Sequence, residues 1–208
     1  VLEQFAVWRM GWTGQTPLLN DQEDWLRAET ASHIAKLRDE TPSRSEGAWK
    51  IEQSRAWLIL RQWLRREGDT AQQPRMRQVE TEYSFGRTGA APAVEVRTST
   101  GKSVKFRGQV DRVDISDDGS QVIVYDYKSG GTSAYSKLDS DPVKKGTKLQ
   151  LPLYSKAVAQ KYPESDVRAS YWFVREVGSS ELTPQPEKYN QKIAESAFAA
   201  AVETIVEG

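Results

Sequence analysis

Two aspartates and a lysine occur at spacings that would bring their side chains together on a β-hairpin. Asp126 and Lys128 are two residues apart in an apolar run, so on a strand they point to the same face. Asp111 lies in the preceding apolar run, and the turn sequence Asp117-Asp-Gly-Ser stands about midway between the two acids. The sequence therefore predicts Asp111 roughly opposite Asp126, with two carboxylates and one ammonium converging on one face.

This combination of charges favours a hard cation and phosphate chemistry. Two carboxylates that close repel each other, and one is protonated unless a cation lies between them. Oxygen ligands alone select a hard ion, which makes Mg²⁺ or Mn²⁺ the natural guest. Such an ion activates bound water and stabilises charge on a phosphodiester oxygen, while a neighbouring lysine orients the attacking hydroxide. An isolated Asp-x-Lys is more often an exposed ion pair, and the spacing to Asp111 is what favours catalysis.

A third polar pair follows after a loop rich in Gly, Ser, Lys and Asp. Gln150 and Tyr154 are four residues apart, so they share one face of a helix that begins near this point. Pro152 is tolerated there only in the first turn, where its missing N–H is not needed, and Gln150 falls at or near the cap. By itself this segment reads equally well as the start of an ordinary amphipathic helix.

The rest of the chain provides the elements that must position these residues. Acidic starts and apolar periodicity predict helices over 21–38 and 45–66, in the part of the chain that holds six of the seven Trp residues. Strands are predicted over 77–85, 93–97, 103–115, 121–127 and 168–174, with helices over 151–160 and 187–207. We therefore expect an α/β fold, a central mixed sheet flanked by helices, with residues 1–76 as a helical N-terminal part and 77–208 as the core.

The composition excludes several other classes of site. The 208 residues include no Cys and one His, so the chain has no disulfide, thiolate metal site, cysteine nucleophile or multi-histidine site. Lys plus Arg and Asp plus Glu both number 29, and the resulting net charge of 0 still allows a basic groove beside an acidic pocket. No apolar run approaches the roughly 20 residues of a membrane helix, and no signal peptide opens the chain. We expect a cytoplasmic protein without membrane contact.

Taken together, the motifs resemble those of the PD-(D/E)xK nuclease superfamily, and more narrowly the RecB- and AddB-type nuclease domains of bacterial helicase–nucleases. The family pattern is G-x-x-D-R-x-D, then D-x-K-(T/S)-G, then Q-x-x-x-Y. Here these motifs begin at Gly108, Asp126 and Gln150, in the family order and with family-like gaps. The resemblance implies a restriction-endonuclease-like core and a Mg²⁺-dependent deoxyribonuclease. It further implies an exonuclease acting on single-stranded ends in DNA repair and recombination, with a helicase in the same chain or as a partner.

The resemblance also implies roles for individual residues. Asp111 and Asp126 would be metal ligands together with the Tyr127 backbone carbonyl, and Lys128 would be the catalytic lysine. Gln150 and Tyr154 would position the substrate strand or the lysine.

Outside these motifs, two further sets of residues are candidates for a role at the site. Glu80 and Glu82 are possible auxiliary acids, although a solvated strand face is the simpler interpretation. Three loop lysines next to the site are candidate DNA contacts that would follow the phosphates: Lys144, Lys145 and Lys148.

The two ends depart from the family pattern. The family has an upstream metal-binding His in a helix reading G-x-x-x-H-x-x-L-E-x-F, and Val1-Leu-Glu-Gln-Phe5 resembles the part just after it. We therefore expect a piece of a longer polypeptide whose ligand His precedes Val1, and we interpret His33 as an ordinary helix residue. Many AddB-like relatives carry an iron–sulfur cluster on flanking cysteines, which this cysteine-free chain cannot hold itself.

Two alternatives to a helicase-linked nuclease stay open. Some helicase–nucleases retain this fold as a DNA-binding or scaffolding module that has lost its catalytic residues. A stand-alone nuclease would carry the same motifs. The presence of Asp111, Asp126 and Lys128 favours an active enzyme over a decayed module.

Overall fold

The chain forms two compact units, Val1–Pro74 and Arg75–Gly208, in a computed structural model. The structure describes residues 1–11, 19–41, 45–69, 76–135, 138, 140–174 and 191–207. Within these ranges, no helix combines the length and the apolar character that crossing a bilayer requires.

The first unit is helical, as the sequence predicts. It contains α1 (Leu2–Met10), α2 (Leu19–Glu40) and α3 (Glu46–Asp69). Glu23 near the start of α2 pairs with Arg61 and Arg65 near the end of α3, at nitrogen–oxygen distances of 3.1 and 3.3 Å. These contacts show that α2 and α3 run antiparallel.

Aromatic side chains fill the contact between these helices. Phe5 is 1% exposed, and its ring lies 5.7 Å from the Trp25 ring and 5.6 Å from the Trp63 ring, between centroids. Trp8 stacks on Trp25 at 5.3 Å. These tryptophans serve as packing residues, as the sequence favours. Trp12, the one tryptophan considered for base stacking, lies outside the described residues.

The second unit is built on a mixed sheet. Its strands are β1 (Met76–Phe85), β2 (Val94–Arg97), β3 (Ser103–Phe106), β4 (Gly108–Ser116), β5 (Gln121–Lys128) and β6 (Asp166–Phe173). Four of them pair in the order β1-β4-β5-β6, where β5 and β6 are parallel and the other neighbours antiparallel. Strands β2 and β3 form a separate two-stranded sheet. The predicted α/β class and mixed sheet are confirmed.

One strand boundary differs from the prediction. The run 103–115 is not one strand, because it divides at Arg107 into β3 and β4, which belong to different sheets. The chain passes close to itself here: a Cβ added at Gly86 would lie 2.8 Å from Arg107 Cα and Cβ. Hydropathy along one run cannot report such a change of partner strand, because both halves remain apolar and alternating.

Two helices complete the second unit. Helix α4 (Gln150–Ala159) packs on β4, β5 and β6, and residues 151–155 are all buried. Helix α5 (Gln191–Glu207) contacts α4 and is joined to the β2–β3 hairpin by an ion pair between Lys102 and Glu207 at 2.8 Å. The first residues of the predicted helix 187–207 lie outside the described ranges. The sheet face that α4 covers therefore contains core side chains together with polar residues of β4 and β5.

Candidate active site

The β4–β5 hairpin brings the two predicted acids together. The two strands pair Arg112 with Tyr125, so the next position along the ladder sets Asp111 beside Asp126. Asp111 is held there by the backbone N–H of Tyr127, which donates to its Oδ2 at 2.6 Å. The turn at residues 117–120 closes the hairpin, as its composition predicts.

Lys128 and Gln150 complete a ring of contacts around Asp126. The Lys128 ammonium forms an ion pair with Asp126 Oδ2 and donates to Gln150 Oε1 at 3.0 Å. Gln150 Nε2 donates in turn to Asp126 Oδ1 at 3.3 Å. Gln150 is the first residue of α4, so the helix start fixes the amide between the acid and the lysine. Side chains from β5 and α4 therefore hold one another in place.

Burial makes these carboxylates costly to ionise. Burial raises the pKa of Asp126, and the neighbouring Asp111 carboxylate raises it further, while Lys128 acts in the opposite direction. Burial likewise raises the pKa of Asp111, whereas the hydrogen bond from the Tyr127 N–H and the charge of Lys128 lower it. The protein's own cations and donors thus leave part of the negative charge uncompensated. A bound cation would relieve this repulsion.

The donor chemistry of this site suits a divalent hard ion. Asp111 and Asp126 supply carboxylate oxygens only, the type of ligand that Mg²⁺ and Mn²⁺ prefer. Within the described ranges, no three His, Cys, Asp or Glu side chains form a cluster able to hold a metal ion. The two aspartates are therefore a partial ligand set, of the kind Mg²⁺ completes with waters and substrate phosphate. The Tyr127 carbonyl stays a predicted ligand.

Tyr154 lies close to the same charges. Burial is the main cause that raises the pKa of its phenol, with further contributions from Asp126, Asp111 and Glu82, against a side-chain hydrogen bond with Gln150. Its ring meets Phe85 edge-on at a centroid distance of 6.1 Å. The predicted pair Gln150 and Tyr154 thus shares one helix face beside the acids.

The close fit around Tyr154 explains the glycine that opens the first motif. A Cβ added at Gly108 would lie 2.7 Å from Phe85 Cζ and 3.3 Å from Tyr154 Cε1. The site therefore requires the absence of a side chain at this position.

The three loop lysines differ in their surroundings. Lys148 lies near the acids, because it lowers the pKa of Asp126, and its ammonium sits 4.1 Å from the Tyr135 ring centroid. The Lys145 backbone N–H donates to Asp141, and its side chain is exposed. Lys144 is half-buried in the same turn. Lys148 thus has described contacts at the site.

Two glutamates on β1 have protein partners. Glu80 forms an ion pair with Lys161, and Glu82 accepts a hydrogen bond from Gln109. His33 lies on α2 beside Glu29, 3.6 Å from its carboxylate, in the first unit. None of these contacts adds a residue to the ring around Asp126.

The sequence analysis missed a buried ion pair on the opposite sheet face. Arg112 and Asp114 are 5% and 3% exposed, and Arg112 Nε donates to Asp114 Oδ1 at 2.6 Å. Arg112 Nη1 also donates to the Tyr127 hydroxyl at 3.3 Å. This links the back of the sheet to the residue whose N–H holds Asp111. Opposite charges two residues apart within an apolar strand were the available signal.

The fold and the acidic hairpin define a class of protein, and comparison with known families agrees. A family model described as the PD-(D/E)XK nuclease superfamily matches residues 1–208. The chain therefore belongs to the PD-(D/E)XK nuclease superfamily.

Curated relatives narrow the similarity. The chain is 35% identical over 96 residues to an ATP-dependent helicase/deoxyribonuclease subunit of Moorella thermoacetica, an alignment that covers 45% of this chain and 8% of that protein. It is 30% identical over 145 residues to the protein of the same name from Desulfitobacterium hafniense, an alignment that covers 68% of this chain and 12% of that protein. The corresponding Alkaliphilus oremlandii protein is 29% identical over 163 residues, an alignment that covers 70% of this chain and 14% of that protein. The chain thus spans a small part of the length of these relatives.

Proposed function

We propose that the chain is a Mg²⁺-dependent deoxyribonuclease domain that hydrolyses phosphodiester bonds. The observation that carries this proposal is the ring formed by Asp126, Lys128 and Gln150 beside Asp111, on neighbouring strands and the start of α4. Two acids with uncompensated charge next to one lysine match the requirements of metal-assisted phosphate hydrolysis.

Each residue of the site has a separate role in this reaction. Asp111 and Asp126 would hold Mg²⁺ or Mn²⁺, which when bound acidifies coordinated water and withdraws charge from the phosphate. Lys128 presents its ammonium to the attacking oxygen or to a phosphate oxygen, and so stabilises charge in the transition state. Gln150 fixes the direction of that ammonium, and Tyr154 supports Gln150 from the next turn of α4.

The relatives guide the choice of substrate and partner. Their name combines a helicase with a deoxyribonuclease, which supports DNA as the polymer and a helicase in the same chain or as a partner. We place the activity on single-stranded ends produced by such a helicase, as an exonuclease in cytoplasmic DNA repair and recombination.

Cleavage of end-labelled DNA tests this function. The chain is incubated with a linear single strand, a duplex and a circular single strand, each in Mg²⁺ and in EDTA. We expect linear single strands to be degraded in Mg²⁺ alone, circles to resist, and Asp126→Asn to be inactive while keeping a folded circular dichroism spectrum. DNA binding with no cleavage of any substrate would instead favour a non-catalytic, DNA-binding module.

A further inference from the structure

Lys148 is held on an aromatic ring at the edge of the site. Its ammonium lies 4.1 Å from the centroid of the Tyr135 ring, well within the distance of a cation–π contact. Tyr135 is itself fixed, because its ring meets Tyr171 and Phe173 edge-on at centroid distances of 4.6 and 5.1 Å. Both partners are buried residues of β6. The ring is therefore a rigid support for the lysine.

Tyr171, one of the two rings that support Tyr135, also contacts the lysine assigned to catalysis. The Lys128 ammonium lies 5.3 Å from the centroid of the Tyr171 ring, and Tyr171 pairs with Asp126 across β5 and β6. Tyr171 and Tyr135 thus carry one lysine each, side by side. Lys128 is neutralised by Asp126, whereas within the described ranges no carboxylate lies within ion-pair distance of Lys148. Lys148 is the cation of the two that is available to an anion.

The backbone holds Lys148 in this position. Its N–H donates to the carbonyl of Val143 at 2.9 Å, and Val143 is buried in the core. Between them, three successive residues adopt left-handed backbone angles, with φ of 45°, 53° and 83° at Lys144, Lys145 and Gly146. Lys148 then stands two residues before the start of α4. Because the backbone at Lys148 is already fixed, binding an anion would cost little further conformational entropy there.

We propose that Lys148 is a phosphate-anchoring residue that binds the phosphate next to the scissile one in a single DNA strand. The proposal rests on the proposed function, because it takes Asp111 and Asp126 as the place of cleavage. A lysine recognises phosphate as a point charge without reading base sequence. The contact with the ring face of Tyr135 leaves N–H donors of the ammonium to point outward. The anchor would set the register of the strand over the acids.

The test is binding of a fluorescein-labelled oligothymidylate in EDTA, followed by anisotropy over a series of KCl concentrations. Lys148→Met is compared with Lys105→Met, which removes an equal charge from an exposed position on β3. We expect Lys148→Met to bind roughly 3–5-fold more weakly at low salt. The slope of log K against log salt should become shallower by about 0.7, the value for one phosphate contact on a single strand. Lys105→Met should match the parent chain in both the affinity at low salt and the slope.

Two further variants separate an anchoring role from a structural one. Lys148→Arg keeps the charge and should retain the parent slope, and Tyr135→Phe keeps the ring and should bind like the parent chain. In the cleavage assay, Lys148→Met should raise KM and leave kcat nearly unchanged. Unchanged affinity and slope in Lys148→Met, or a fall in kcat and thermal stability alone, would overturn the proposal.

The two proposals fail separately. A parent chain whose DNA binding depends on Lys148, but which cleaves no DNA in Mg²⁺, would sink the proposed function and leave Lys148 as a phosphate contact without a cleavage register. A parent chain that cleaves DNA with a KM indifferent to Lys148→Met would sink the anchor alone.

Discussion

Lys128 has two partners in the site, and they define its expected role. Its ammonium pairs with Asp126 and donates to Gln150, so it lies where a phosphate drawn to a cation on the two acids would come close. We propose that Lys128 contributes charge stabilisation in the transition state rather than metal binding.

Replacing Lys128 should therefore separate catalysis from metal binding. We expect Lys128→Ala to lower the cleavage rate by at least ~10²-fold. Mn²⁺ binding should persist or strengthen, because Asp111 and Asp126 remain and a competing ammonium is lost. Cleavage rates and calorimetric titrations of the same preparation check both halves. Robust cleavage by Lys128→Ala would refute the role assigned to this lysine.

At the scale of elements, the approach of β4 to α4 depends on Gly108. A Cβ at this position would come within 2.7 Å of the Phe85 ring and 3.3 Å of the Tyr154 ring. Gly108→Ala should lower the free energy of unfolding by about 1–3 kcal/mol, the usual cost of overpacking, and reduce cleavage because Tyr154 moves.

Chemical denaturation measures the stability change, and Gly130→Ala is the matched control. A Cβ at Gly130 would meet nothing within 4 Å, so we expect its unfolding free energy to stay within about 0.5 kcal/mol of the parent chain. Equal effects of the two substitutions would show that the contacts at Gly108 do not govern stability.

The buried pair Arg112 and Asp114 supports the same hairpin from its other face. Arg112→Met leaves the Asp114 carboxylate buried without its partner guanidinium, and should cost about 3–5 kcal/mol of unfolding free energy. The double variant Arg112→Met with Asp114→Leu should recover much of this loss, since no lone charge is then buried. Urea unfolding of the single and double variants forms the test. A double variant as unstable as the single one would argue against this explanation.

How far the sequence could predict these elements depended on whether the signal was local. Asp126 and Lys128 lie on one strand and Gln150 and Tyr154 on one helix, so periodicity alone placed each pair. Asp111 required one further step, the hairpin turn. The separation of β3 from β4 and the Tyr135 support for Lys148 arise from contacts between distant segments, which no local pattern encodes.

For the molecule as a whole, the net charge of 0 constrains how DNA would be held under the proposed function. With 29 basic and 29 acidic residues, the chain carries no net charge that would attract a polyanion at long range. Under the proposed function, affinity must come from local cations that are available to phosphate, such as Lys148. The salt dependence of DNA binding should accordingly be small for a nuclease of this size.

The acids that serve the site should lower the stability of the fold. The pKa of Asp126 is raised above 3.8, chiefly by burial, so its ionised form destabilises the folded state. That cost appears as pH rises from about 4 through the raised pKa. In EDTA at pH 7, Asp126→Asn should therefore be more stable than the parent chain, and this advantage should vanish near pH 4.

Thermal unfolding in EDTA across pH 4–8 tests whether ionised Asp126 destabilises the fold. Asp118→Asn is a control of opposite sign, since hydrogen bonds from Ser116 and Ser120 lower the pKa of Asp118 to about 2. Its contribution is stabilising above pH 4 and is lost as pH falls toward 2, so Asp118→Asn should destabilise the chain at pH 7. An Asp126→Asn variant less stable than the parent at pH 7 would contradict the account.

The central claim is that Asp111 and Asp126 form one cation-binding acidic site, and calorimetric titration with Mn²⁺ tests it most directly. The parent chain is compared with Asp126→Ala and with Asp117→Asn, which removes the same charge from the exposed turn of the same hairpin. We expect saturable binding by the parent and by Asp117→Asn, and its loss in Asp126→Ala. Binding that survives in Asp126→Ala, or no binding by the parent chain, would contradict it.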